Sequence, residues 1–133
     1  MSKAELYEEY LRQEGFSPTV DGDGDVIFKF EGRTYILFGN EGDTQFFRLA
    51  FPNFWEIESD EEEHRVERAA MDVNKSMKVV KIHTAGKNTW VSVELLIDPP
   101  ENFTGIFQRS LRMIREAVQE FRTRVTSSES NVQ

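Results

Sequence analysis

No cysteine occurs anywhere in the 133 residues, so disulfides, thiolate nucleophiles and cysteine zinc sites are excluded at the outset. Histidine is nearly as scarce, with only His64 and His83. No apolar run approaches the ~18 residues of a membrane span. Glu5, Glu8 and Glu9 stand where a signal peptide needs an apolar core. Bases are outnumbered by acids, 16 to 24, and the net charge of −8 argues against a phosphate backbone as partner. No Gly-x-Ser-x-Gly, P-loop or dinucleotide fingerprint occurs, so nucleophilic and phosphate chemistry have no motif behind them. The expectation is a cytoplasmic protein with no cofactor and with neither nucleic acid nor membrane as partner.

Large apolar side chains, by contrast, are plentiful. Eleven Phe, two Trp and three Tyr can furnish a core for one domain without covalent staples. Charge is unevenly spread: residues 1–63 hold 16 acids and 5 bases, a net of −11, whereas residues 64–133 hold 8 acids and 11 bases, a net of +3. Either the halves complement each other within the fold or a dimer, or an acidic surface recruits a basic partner.

Ser2 and Glu5 form a capping box that starts a helix over residues 3–14. Gly15 suits the left-handed position that closes it, and Phe16 can fold back on its apolar stripe. After the Asp21–Asp25 turn, strands are expected at 26–30, 34–38 and 46–51, with Pro52 ending the third because proline cannot donate to a ladder. Val66, Ala69, Ala70, Val73 and Met77 then share one helical face, and the acids before them stabilise the positive helix end. Asn74 reads as a helix-terminating position. Strands follow at 79–84 and 89–97. Asp98-Pro99-Pro100 is expected to open a last helix, whose stripe from Phe103 to Val125 covers more than five turns. Residues 126–133 are expected to be disordered, so the domain is 1–125. The order is α-β-β-β-α-β-β-α: an α+β fold with an antiparallel sheet of about five strands and helices on one face.

The strands alternate. Val91, Val93, Leu95 and Ile97 mark a buried face, whereas Trp90, Ser92, Glu94 and Leu96 mark the other. Lys81 and His83 oppose Val80 and Ile82 in the same way. Trp90, with Ile36 or Tyr35 and Phe46 or Phe47, makes that second face half-apolar, which suits a dimer or partner surface.

Several stretches together resemble the YbjN-like family of small proteins described as bacterial sensory-transduction regulators. They are Glu14-Gly15-Phe16, Asp21-Gly22-Asp23 before Val26-Ile27-Phe28, Gly32-Arg33-Thr34-Tyr35-Ile36, and a helix ending Ala69-Ala70-Met71-Asp72-Val73-Asn74 before Lys78-Val79-Val80-Lys81-Ile82. The resemblance covers about residues 4–120, and Asn74 before a strand is its most specific piece. The family shares its fold with type III secretion chaperones, small acidic dimers that bind extended protein segments. The resemblance therefore implies a homodimer with a protein ligand. It brings no catalytic residues.

Four constellations invite chemistry. Asp21, Asp23 and Asp25 match the first ligand positions of a calcium loop, but Val26 stands where glycine is required and Gly32 where the closing glutamate belongs; a solvated turn is the simpler reading. Glu61-x-x-His64 has di-iron spacing without the second copy such a site needs. His83 and Glu94 could pair as acid and base only in a cleft. Arg109, Arg112, Arg115, Arg122 and Arg124 suggest an anion surface, but Glu116 and Glu120 interleave them as on a solvated helix face.

The expected function is accordingly a non-enzymatic protein-interaction or chaperone-like regulatory module. Its surface residues would be Ile36, Phe46, Arg48, Lys81, His83, Trp90 and Glu94. The alternative is a small-molecule or nucleotide-binding regulator with a pocket between helix and sheet.

Overall fold

Helix α1 (Lys3–Gln13) begins where the Ser2 hydroxyl accepts the Glu5 N–H at 3.1 Å. It ends at Gly15, whose φ of +91° lets the Phe16 N–H turn back to the Leu11 carbonyl. Phe16 then packs its ring against Phe28, Phe30 and Phe107, residues outside α1, instead of the α1 stripe expected for it. The computed structural model describes residues 1–39 and 42–130, with side chains to residue 127. Between the strands expected at 34–38 and 46–51 the composition Asn40-Glu41-Gly42-Asp43 is that of a turn, and it falls partly on Asn40 and Glu41, outside the described residues.

Six strands make one antiparallel sheet: β1 (Thr19–Val20), β2 (Val26–Phe30), β3 (Arg33–Leu37), β4 (Phe46–Glu56), β5 (Val80–Ala85) and β6 (Asn88–Leu96), in the order β1-β2-β3-β4-β6-β5. The additional strand is β1, a two-residue edge too short to show a period. Strands β2 and β3 are joined by Glu31-Gly32, both at positive φ (52° and 78°), the handedness that matches strand twist in a two-residue hairpin.

Strand β4 does not stop at Pro52. Phe51 pairs with Val91 and Trp55 with Thr89, so residues 52–54 oppose Trp90 alone in a bulge. There proline's missing N–H removes no ladder bond, and Asn53 takes the left-handed conformation (φ 54°). The strand resumes and carries Phe54 and Trp55 onto Phe121.

Helix α2 (Asp60–Ser76) is capped by Ser59, which accepts from the Glu62 N–H at 3.1 Å, while Glu62 accepts from the Glu58 N–H and from Trp55 Nε1. The acidic run thus serves the helix start. Asn74 does not terminate the helix, which continues to Ser76. Its amide lies along the outer edge of β5, donating to the Ile82 carbonyl at 3.0 Å and accepting the Ile82 N–H at 2.7 Å. A side chain here replaces the strand that an open edge would otherwise recruit.

The last helix also starts later than expected. Asp98 caps nothing; after the cis Asp98–Pro99 bond, residues Pro100–Gly105 form a 3-10 turn, and helix α3 runs Phe107–Ser130. Residues 126–130, expected to be disordered, continue this helix, and 131–133 lie outside the described residues. No helix among the described residues is long and apolar enough to cross a membrane.

All three helices lie on one face of the sheet, where Leu37, Leu49, Val91 and Val93 meet Leu11, Val66, Val73, Leu111 and Ile114 in a single core. Every phenylalanine except Phe38 and Phe46 belongs to this side. Lys3 is buried as well, 4 % exposed, and its ammonium donates to the Asp43 and Phe46 carbonyls at 3.1 and 2.6 Å, fastening α1 to the approach to β4.

Asn74→Ala leaves one donor and one acceptor of Ile82 without their partners, a loss of about 1–2 kcal/mol. In urea unfolding it is expected to lower the midpoint clearly, whereas Lys75→Ala on the same turn stays within about 0.5 kcal/mol of the parent. Equal effects would remove the edge-capping role.

Candidate functional site

With the helices gathered on one side, the opposite face of the sheet has no covering element among the described residues. Strand parity decides who stands there. Inward Leu49, Val91, Val93, Val80 and Ile82 put Arg48, Ala50, Trp90, Ser92, Glu94, Lys81 and His83 outward. The pairing Ile36↔Ala50 adds Ile36, and Phe46↔Leu96 adds those two. All seven residues expected at a partner surface therefore share one face. The open choices also resolve: Ile36 and Phe46 face outward, whereas Tyr35 and Phe47 are core residues.

The middle of the face is small and closed. Ala50 and Ser92 sit directly opposite each other and are both 0 % exposed, because longer side chains lean over them. Arg48 lies across the Phe38 ring at 4.3 Å and 6.0 Å from the Trp90 ring. Its Nε is 3.2 Å from Glu94, its cross-strand partner, and Glu94 also meets Lys81 at 3.5 Å. One carboxylate is thus held between two cations from neighbouring strands. Trp90 is fixed at both ends, stacking obliquely on His83 at 6.1 Å and donating its indole N–H to Asn53 Oδ1 at 3.0 Å. The bulge in β4 is what brings Asn53 there.

His83 Nδ1 and Ser92 Oγ are buried on this face without a hydrogen-bond partner among the described residues, whereas Arg48 Nε has the Glu94 carboxylate beside it as an ion pair. Such atoms are uncommon, at a cost of about 1–3 kcal/mol each when dry. Glu94 belongs to the two cations, not to His83, so the acid–base pair suggested by the sequence is not assembled as a hydrogen-bonded dyad. The aromatic residues are half-buried, and the strongly exposed apolar group is Leu96, at 74 %. Alternation alone placed Leu96 and Ser92. Phe38 shares the parity of Ile36 and was legible in principle, whereas Asn53 carried no signal, since a bulge is set by tertiary pairing.

Of the other constellations, the two carboxylate-based ones are taken up by local structure, and the arginines of the last helix are taken up only in part. The oxygens of Asp21, Asp23 and Asp25 gather within 4.8 Å, but Asp21 accepts the N–H groups of Asp23 and Asp25, and Asp25 accepts that of Gly39. His64 is exposed, and Glu61 pairs with Arg65 at 2.8 Å. The arginines of α3 divide: Arg124 bonds Glu120 and approaches Asp72, and Arg115 approaches Glu31.

No protein-family model matches the chain, and no curated protein matches it. Among solved structures, an uncharacterized protein from Methanothermobacter thermautotrophicus is similar in fold, with a TM-score of 0.55 over 92% of this chain and 99% of that one at 13% identity. At such identity the likeness concerns the α+β fold alone.

Burial first, then the positive charges of Lys81 and Arg48, hold the His83 imidazole below its ordinary value of 6.5, while Glu94 pulls the other way. The unfolded chain therefore takes up this proton first. The contribution of His83 to stability is complete above about pH 6.5 and is lost as pH falls through that value. By NMR, His83 is expected to titrate below 6.5, with Lys81→Gln raising its midpoint and Glu94→Gln lowering it further. Shifts in the reverse directions would contradict the arrangement.

Proposed function

We propose that the protein is a non-enzymatic, chaperone-like interaction module that receives an extended segment of a partner protein on the open face of its sheet. The observation that carries the reading is the convergence of the seven residues on a face that none of the helices covers. Trp90, Phe38 and Phe46 offer wide, rigid contact surfaces, and aromatic and arginine groups dominate binding energies at protein interfaces. Arg48, Glu94 and Lys81 supply charge of both signs, which sets register more than raw affinity. A segment laid over the face, after a small side-chain rotation, can also offer partners to Ser92 Oγ and His83 Nδ1, which have no hydrogen-bond partner among the described residues.

The resemblance to the YbjN-like family, with its chaperone-like fold, supports the same reading and adds a cytoplasmic homodimer. The rival reading, a regulator holding a nucleotide or other small molecule in a pocket between helix and sheet, draws on different residues, which lie on the helix side.

Partner segments selected from a displayed peptide library are expected to lose about 30-fold or more in affinity on Trp90→Ala, the size of an interface hot spot. Leu96→Lys should weaken them too, with the circular dichroism of both variants unchanged. Retention of the same segments at parental affinity by both variants would place binding elsewhere. Sizing of the parent and of Leu96→Lys checks whether the same face joins two copies.

A further inference from the structure

On the helix side, the β2–β3 hairpin and α3 enclose a cleft of about 400 Å³ whose walls carry three arginines: Arg33 from the start of β3, and Arg115 and Arg122 from α3. Gln119 and Thr123 complete the rim, and Val118 is its one apolar wall. The sequence offered no reason to join Arg33 to the helix, because 82 residues separate it from Arg115. The left-handed Glu31-Gly32 turn brings Arg33 back beneath α3.

Two of these arginines are braced by aromatic faces. Arg33 lies 5.7 Å from the Phe51 ring centre and Arg115 lies 5.8 Å from that of Phe30. A cation–π contact of this kind uses none of the guanidinium N–H donors and leaves them for a ligand. Arg115 has one long contact, to Glu31 at 3.6 Å, and neither Arg33 nor Arg122 has an ion pair or side-chain hydrogen bond among the described residues. The buried Tyr35 phenol below registers the same convergence: burial raises its pKa, Arg33 and Arg115 oppose the rise, and Glu31 adds to it. Three clustered cations with one carboxylate are out of character for a chain of net charge −8.

We infer that this cleft binds the phosphate group of a small hydrophilic phosphomonoester. Three guanidinium forks outnumber what one carboxylate can use, since a carboxylate has two oxygens, whereas a phosphate dianion presents three terminal oxygens and more charge. Six of the seven lining residues are polar or charged, and Gln119 and Thr123 suit a hydroxylated ligand. The acidic run of a second copy fits poorly: Glu61 and Glu62 are engaged in their own helix start, and a convex helix end does not enter a cleft. Glu31 is the built-in competitor. It must yield Arg115 to the ligand.

Calorimetric titration of the full chain with glycerol 3-phosphate and with inorganic phosphate, at low and at physiological salt, tests the inference. One saturable site is expected, weaker at higher salt. Arg122→Gln, on an exposed side chain with no partner to lose, should weaken binding at least tenfold, and Arg33→Gln likewise. Arg122→Lys should fall between Arg122→Gln and the parent, because a point charge replaces a fork. Glu31→Gln should tighten binding severalfold. Arg68→Gln, exposed on α2, and Trp90→Ala, on the open sheet face, should leave it unchanged, which separates this site from the partner face. No saturable binding, binding indifferent to Arg122→Gln and Arg33→Gln, or hexaglutamate binding as tightly as glycerol 3-phosphate would each overturn it.

Discussion

Phe107, at the start of the last helix, touches Tyr10 and Phe16 at the end of α1, Phe28 in the sheet and Phe103 in the preceding 3-10 turn. The first and last helices and the first hairpin are thereby tied into one aromatic network, and Tyr7 and Phe47 extend it towards β4 through Phe103. Because these rings all lie on one side, α1 and α3 have no choice of face. The opposite side is left open by the same packing that makes the core.

That arrangement leaves two sheet edges and one uncovered face to manage. One edge is limited to the two residues of β1, and the other is occupied in part by the Asn74 amide. The uncovered face is closed over small residues by larger polar and aromatic ones. Its geometry depends on a defect in β4, since without the bulge Asn53 would not reach the Trp90 indole. The helix side and the sheet side then differ in character, with arginines around a cleft on one and a mixed aromatic and charged surface on the other. Long-range ion pairs, Arg48 with Glu94 and Arg115 with Glu31, join the acidic and basic halves of the chain at these two places.

Much of this is readable from local pattern. The capped ends of α1 and α2, the alternation in β5 and β6, and the outward side of Lys81, His83, Trp90 and Glu94 follow from spacing that a short window contains, whereas Ile36 against Tyr35 and Phe46 against Phe47 needed the fold. The misreadings share a cause. Pro52 and the residues after it looked like an ending because a bulge depends on what β6 does. The 3-10 turn before α3 keeps the apolar stripe of a helix while changing its pitch, so Phe103 could be assigned to the core but not to its element. Residues 126–130 lack apolar groups, yet extend a helix already fixed by Phe121 and Val125. Lys3 in the core gave no hint at all, because its partners are backbone carbonyls some 40 residues away.

The sequence by itself determined that this is an α+β chain, where its first two helices start, and which side of each strand is apolar, because periods of 3.6 and 2 are properties of neighbouring residues. Tertiary structure alone decided which strands are neighbours, and so which outward residues meet: Arg48 with Glu94, Trp90 with His83 and Asn53, Arg33 with the arginines of α3. It also gave Asn74 its role. Read along the chain it closes a helix; in the fold its amide closes a sheet edge, because a side chain's hydrogen-bond partners are set by what packs beside it.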